Sequence, residues 1–255
     1  MTRSEIQLVR SLADKRGRDE HGLFVAEGEK LIGELRASHL RIRKIYALDG
    51  VFEGEDGRST NGVIERVTPK EMERLSMLKT PNNSLATVEI PHYGLADDIA
   101  RHSLVLALDD IQNPGNLGTV IRLADWFGIE DIICSASSAD CFNPKVIQAT
   151  MGAIIRVRVH YTDLAGYLTA AARKGTEVYG TFLEGGDIYS GELTRNGIIV
   201  MGNEGRGISP ACASAVTRKL FIPPYPADRR GSESLNISIA AAVVCAEFRR
   251  RAASK

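Results

Sequence analysis

Three short stretches set polar side chains and glycine directly after apolar runs. Asn113, Pro114, Gly115 and Asn116 follow "LVLALDDIQ", Asn203, Glu204 and Gly205 follow "IIVMG", and Ser232, Ser234 and Asn236 lie beyond "KLFIP". In the first stretch Gly118 opens a helix on which Arg122 lies one turn further along, which brings a cation near the strand end. Each stretch also has a plain structural reading. Asn-Pro-Gly-Asn makes a turn and an N-cap, and Ser or Asn before an apolar helix caps it. Taken alone, Arg122 reads as a solvated or ion-paired helix residue and Glu204 as an exposed loop carboxylate. Capping does not account for "NEGRG" after an apolar strand, and three such turns at the ends of parallel strands would converge on one cleft.

The residue types narrow what the cleft could hold. "NEGRGIS" lacks the Lys-Ser/Thr ending of a phosphate-binding loop, and a carboxylate beside a phosphate is repelled unless a metal intervenes. "NPGNLG" supplies Gly115 and Gly118 at the wrong spacing for a dinucleotide fingerprint. A neutral or cationic small molecule lying against exposed backbone, with glycines permitting close approach, fits better than a polyphosphate.

The elements that must position these residues divide the chain in two. Residues 4 to 13 have helical apolar spacing, "DKRGRDEHG" reads as a charged loop, and "LFVAEG" as a strand. "EKLIGELRAS" is expected to be a helix, "IRKIYAL" a strand, 49 to 62 a loop, "PKEMERLSML" a helix and "LATVEI" a strand. "PHYGLADDIARHS" has no clear period and contains Pro91 and Gly94, so it reads as a linker between a small α/β domain at 1–95 and a larger one at 100–255. Beyond it, "LVLALDDI", "DIICS", "IIRVRV", "EVYGTFL", "IIVMG" and "KLFIP" alternate mostly with helical segments, as in a parallel sheet covered on both faces. A long helix from about Ser234 to Arg250 ends the pattern.

Composition excludes several classes. The chain has 255 residues, 44% hydrophobic and 25% charged, with 32 basic and 32 acidic side chains, so any nucleic-acid footprint must be local. Cys134, Cys141, Cys212 and Cys245 form no C-x-x-C pair and the histidines are scattered, which suggests neither a metal cage nor a disulfide framework. No signal segment is expected and no apolar run reaches the roughly 18 residues that span a bilayer. A reducing cytoplasm is the simplest compartment.

"DDIQNPGNLGTVIRLADWFGI", "IIVMGNEGRGIS" and "IPPYPADRRGSESLNISIAAAV" resemble, in order, the three motifs of the SpoU (TrmH-type) RNA 2′-O-ribose methyltransferases of the SPOUT superfamily. The opening region "DKRGRDEHGLFVAEGEKLIGEL" is similar to the small RNA-binding domain that precedes the catalytic domain in many members. The resemblance implies an α/β fold whose C-terminal part forms a trefoil knot, S-adenosylmethionine (AdoMet) as cofactor, and a homodimer whose active site draws on both subunits. It assigns catalysis to Arg122, Asn113, Glu204, Ser234 and Asn236, and the cofactor pocket to Leu183, Gly202, Glu204, Ile222, Leu235 and Asn236. Between Ile222 and Ser234 the chain departs from the pattern with a longer loop that contains Arg229 and Arg230. Leu235 rather than Tyr225 is carried over there.

The implied activity is methyl transfer to a ribose 2′-hydroxyl of ribosomal or transfer RNA, ribosomal favoured, with no metal and no membrane. An arginine stays protonated at neutral pH and has no lone pair, so Arg122 is expected to stabilise a developing alkoxide while a substrate phosphate or another group takes the proton. Arg10, Lys15, Arg16 and Arg18 are expected to grip RNA phosphates, and Arg156 and Arg158 to alternate on a strand face. Two other readings remain. A non-catalytic RNA-binding or ribosome-assembly factor could retain the fold, although Arg122, Glu204 and Asn236 argue against it. A nucleotide-dependent α/β enzyme is disfavoured by the missing phosphate fingerprints.

Overall fold

The structure is a computed structural model that describes residues 1–52, 63–226 and 234–253. Much of the loop at 49 to 62, together with Arg229, Arg230 and Ser232, lies outside the described residues. The chain forms two compact units, Met1–His92 with Asp140–Ile155 and Tyr93–Ala139 with Arg156–Lys255.

The first unit opens with α1 (Arg3–Ser11), started by a capping box in which Thr2 accepts from the Glu5 N–H and the Glu5 carboxylate accepts from the Thr2 N–H. The charged stretch that follows is not a loop but a helix, α2 (Lys15–His21). Its charges hide the reason from a hydrophobic count. Arg18 is only 1% exposed: Nη1 donates to the carbonyls of Leu12 and Ala13, while Nε and Nη2 donate to Asp140 Oδ2 at 2.8 and 2.6 Å. Gly17 has no room for a side chain, since a Cβ would lie 2.1 Å from the Ser11 carbonyl oxygen.

The unit continues with β1 (Leu23–Glu27), α3 (Glu29–Arg36), β2 (Ile42–Ala47), β3 (Val63–Arg66), α4 (Pro69–Leu75) and β4 (Ser84–Glu89). The four strands order as β1-β4-β2-β3, antiparallel except for the β2–β3 pair. Strand β3 is absent from the sequence-based expectation because its residues, Val-Ile-Glu-Arg, are too few and too exposed to show a pattern. Val9, Leu12, Val25, Tyr46, Met72 and Leu85 form one core.

The second unit runs through α5 (Ile99–His102), β5 (Leu104–Leu108), α6 (Pro114–Trp126) and β6 (Asp131–Ser135). The chain then contributes α7 (Pro144–Thr150) to the first unit. A boundary at 95 to 100 leaves this excursion out. It joins the first unit because α7 packs on β1, the Phe142 and Phe24 rings lie 4.9 Å apart, and Asp140 holds Arg18. Of the run "IIRVRV", Ile154 and Ile155 fall in a 3₁₀ turn and the strand starts later.

The second unit resumes with β7 (Arg158–Thr162), α8 (Leu164–Arg173), β8 (Val178–Asp187), β9 (Gly197–Met201), α9 (Pro210–Ala213), β10 (Arg218–Phe221) and α10 (Ile237–Ala253). Its six strands order as β10-β8-β9-β5-β6-β7, and every neighbouring pair is parallel. Strands β5 and β9 are buried at all positions, as strands covered on both faces must be. Helices α6 and α10 lie side by side in the same direction. Asn236 meets Asn116 at their starts, and at their ends the Arg249 guanidinium donates to the carbonyls of Phe127 and Gly128, satisfying acceptors that a helix end leaves open. Arg156 and Arg158, expected to share a strand face, are ion-paired with Asp125 and Asp131.

Candidate active site

A parallel sheet delivers the ends of all its strands to one edge, and the three polar stretches meet there. After β5, Asn113 caps α6, its Oδ1 accepting from the N–H groups of Gly115 and Asn116 at 2.8 and 3.1 Å. Asn116 therefore has no capping task, and its side chain joins the other two stretches. Its Nδ2 donates to Glu204 Oε1 at 2.5 Å, and its Oδ1 accepts from Asn236 Nδ2 at 3.2 Å. Asn236 in turn starts α10, where its Oδ1 accepts from the Ser238 N–H at 2.9 Å. Glu204, Asn116 and Asn236 thus form one hydrogen-bonded chain.

The turn after β9 is closed by reciprocal backbone bonds between Asn203 and Gly207. A Cβ on Gly202 would lie 2.2 Å from the Gly207 carbonyl carbon, so the room a side chain would need is taken by the turn itself. Gly207 adopts φ +68°, which favours glycine. The buried Asp109 carboxylate accepts from the Ser209 N–H at 2.8 Å and fastens the far side of this turn.

Arg122 lies on α6, exposed, with no hydrogen bond or ion pair among the described residues. Ser234 is exposed and likewise makes no bond among the described residues. Of the residues assigned to catalysis, the structure brings Glu204 and Asn236 together through Asn116, which the sequence reading places only in a turn. Asn113, assigned to catalysis, uses its side-chain oxygen on the helix start instead. The signal that separates them was present: a second Asn three residues after an N-cap has no capping work to do.

Three of the residues assigned to the cofactor sit on or just after three adjacent strands. Leu183 belongs to β8, Gly202 follows β9 and Ile222 follows β10, in the spatial order β10-β8-β9. The β8–β10 ladder jumps from Gly180 opposite Lys219 to Gly186 opposite Leu220, so residues 181 to 185 have no paired residue in β10. Leu183 is 66% exposed there, and Leu235, just before α10, is 50% exposed. Glycine-containing strand ends and exposed apolar side chains are the kind of lining that suits a flat, partly apolar adenosine, so the residues present fit AdoMet.

Thiol chemistry is not part of this site. All four cysteines are buried and outside any disulfide, and burial pushes the thiol of Cys212 up to about 11 and that of Cys245 to about 12. No group of three His, Cys, Asp or Glu side chains is placed to hold a metal among the described residues, and no helix there is long and apolar enough to cross a membrane.

The basic residues expected to grip RNA divide. Lys15 and Arg16 are exposed, Lys15 pairing with Asp19 and Arg16 making no bond among the described residues. Arg10 is exposed and donates to the Ser76 carbonyl at 2.7 Å. Arg18 is buried inside the first unit and offers nothing to phosphates; its desolvated charge needs Asp140.

A parallel α/β sheet with a polar site across its strand ends is one class of enzyme architecture, and comparison with known proteins defines which. Residues 103–246 match the SpoU rRNA Methylase family, and residues 3–86 match the MRM3-like substrate binding domain. The chain belongs to the SpoU rRNA methylase family. It is 28% identical over 242 residues, 94% of each chain, to the 23S rRNA (guanosine(2553)-2′-O)-methyltransferase RlmP of Bacillus subtilis. A structure from Porphyromonas gingivalis, assigned to the TrmH family of RNA methyltransferases, superposes with a TM-score of 0.88 at 34% identity over 98% of this chain and 99% of that one. The AdoMet-bound rRNA methyltransferase of Sinorhizobium meliloti superposes with a TM-score of 0.85 at 26% identity, over 98% and 96%.

Proposed function

We propose that this protein transfers a methyl group from AdoMet to a ribose 2′-hydroxyl of RNA, ribosomal RNA in particular. The observation that carries the reading is the hydrogen-bonded chain of Glu204, Asn116 and Asn236, which ties together all three strand-end stretches at the start of the helix that carries Arg122. When bound, AdoMet supplies a methyl group already activated on its sulfonium. The chain's own residues have to hold the reactants, exclude water and manage one proton. Arg122 presents preorganised donors to the oxygen that becomes an alkoxide, and the hydroxyl proton leaves to a phosphate of the RNA. Glu204 and Asn236, held by Asn116, and Ser234 keep the surrounding turns in place. Leu183, Gly202, Ile222 and Leu235 line the cofactor pocket, largely through backbone groups.

The substrate class follows the curated relative that is matched over 94% of its length, an rRNA ribose methyltransferase. In this reading residues 1–95 bind RNA and 100–255 catalyse. The match to a substrate binding domain over 3–86 and the exposed Lys15 and Arg16 support that division. The trefoil knot belongs to the same reading, supported by α10 returning from the edge strand β10 to pack on α6. So does a homodimer: Trp126 is 86% exposed at the end of α6 and Ile239 is 55% exposed on α10, apolar surface that a second copy would cover. Four cysteines with no disulfide between them suit a reducing cytoplasm.

The test is transfer of labelled methyl from AdoMet to unmodified RNA, followed by digestion to nucleosides. Label in 2′-O-methylribose of one ribosomal RNA supports the reading. AdoMet binding without transfer to naked RNA or ribosomal particles contradicts it.

A further inference from the structure

The described residues hold one more constellation at the strand ends, centred on Asp110. This residue adopts φ +59°, a conformation that side chains other than glycine, asparagine and aspartate seldom take. Its backbone N–H donates to Ser135 Oγ at 2.8 Å, at the end of β6. Its carbonyl accepts from Asn203 Nδ2 at 2.9 Å, in the turn after β9. Its carboxylate Oδ2 accepts from the same Asn203 amide at 3.2 Å and from the Arg206 guanidinium, while Oδ1 accepts from Gln112 Nε2 at 3.0 Å. Asp110 thereby links the loops that follow β5, β6 and β9.

The connection continues to the candidate catalytic carboxylate. Asn203 Oδ1 accepts from the N–H groups of Gly205 and Arg206 at 2.9 and 3.2 Å, which shapes the turn, and Glu204 is the residue at its tip. We infer that Asp110 and Arg206 act as positioning residues, a charged clasp that fixes the 203–207 turn and so sets Glu204 against Asn116. Glu204 is 88 residues from Asn116 in sequence and exposed, so a loose turn would let the contact open. Burial works against ionisation of Asp110, but hydrogen bonds from Ser137 and Gln112 and the charge of Arg206 outweigh it and keep the carboxyl below its ordinary value. The clasp is therefore charged at neutral pH.

The catalytic part of this inference rests on the proposed methyl transfer; the structural part does not, and the test uses both. Asp110→Asn, Arg206→Gln and the double variant are prepared in the full chain. Methyl transfer to unmodified ribosomal RNA is measured together with hydrogen exchange of the amides of Gly205, Arg206 and Gly207. Each single change is expected to lower kcat/KM about tenfold, with the double no worse than the worse single, because coupled contacts do not add. The three amides are expected to exchange about tenfold faster in either single variant, while amides of β5 and β9 keep their protection.

Independent, multiplying effects on kcat/KM, or unchanged exchange in the turn, overturn the clasp. A loss of activity matched by lost protection throughout the sheet also overturns it, since that marks a merely structural role. If the unaltered protein methylates no RNA, the proposed function fails while the exchange measurement still decides whether the clasp holds the turn.

Discussion

Asn116 and Glu204, on turns 88 residues apart in the chain, meet side chain to side chain at 2.5 Å. Three residues before Asn116, the Asn113 side chain makes, among the described residues, only the hydrogen bonds of a helix cap. The two asparagines are therefore expected to fail differently. Asn113→Ala should cost about 1 kcal/mol of stability, measured by denaturant unfolding, with catalysis of the folded protein retained. Asn116→Ala should leave stability nearly unchanged and lower kcat on the order of a hundredfold. Equal loss of stability in both would reduce Asn116 to a capping residue.

Arg18 and Arg16, neighbours on α2, make a second contrast. Removing the Arg18 side chain leaves Asp140 Oδ2 and the carbonyls of Leu12 and Ala13 without this donor, and the Asp140 charge without its ion-pair partner. Arg18→Ala should cost about 3 to 5 kcal/mol, seen as a large drop in Tm. Arg16→Ala should leave Tm in place and weaken RNA binding with a shallower salt dependence. RNA affinity independent of Lys15 and Arg16 would move the binding face elsewhere.

Stability should fall on acidification over a defined window. Hydrogen bonds from Arg250 hold the Glu247 carboxyl down at about 2, against the desolvation of its buried site, with Arg251 adding to the effect. The Lys44 contact and the Thr68 backbone bond do the same for Glu5 and Glu71, both held at about 2. Carboxyls whose folded value is depressed contribute stability that is present above the unfolded value and lost as pH falls through the folded one. Tm should therefore decline between about pH 4.5 and about pH 2, and Glu247→Gln should flatten that decline. An unchanged slope in the variant would show that Glu247 contributes nothing to it.

Much of this was legible in the sequence, for physical reasons. Buried strands such as "LVLAL" and "GIIVM" announce themselves because a strand covered on both faces must be apolar throughout. The three polar stretches were legible because glycine and asparagine at strand ends stand out against such runs. Helix α2 was not, because its buried residues are a glycine and an arginine whose partner lies 122 residues away. The return of 140–155 to the first unit was hidden for the same reason, since a contact between Phe142 and Phe24 leaves no periodicity. Asn113 and Asn116 share a residue type and a turn, and only the geometry of who caps the helix tells them apart. The gap in the β8–β10 ladder at residues 181 to 185 is a matter of register, which composition does not carry.

The central claim is that Arg122 acts on the 2′-hydroxyl from a site that binds AdoMet without it. The most direct measurement is single-turnover methyl transfer to unmodified ribosomal RNA by the unaltered protein and by Arg122→Ala, with AdoMet affinity determined calorimetrically for both. The account predicts loss of transfer by at least about a hundredfold in the variant with AdoMet affinity unchanged. Transfer that survives the substitution, or affinity lost in step with it, would contradict that claim.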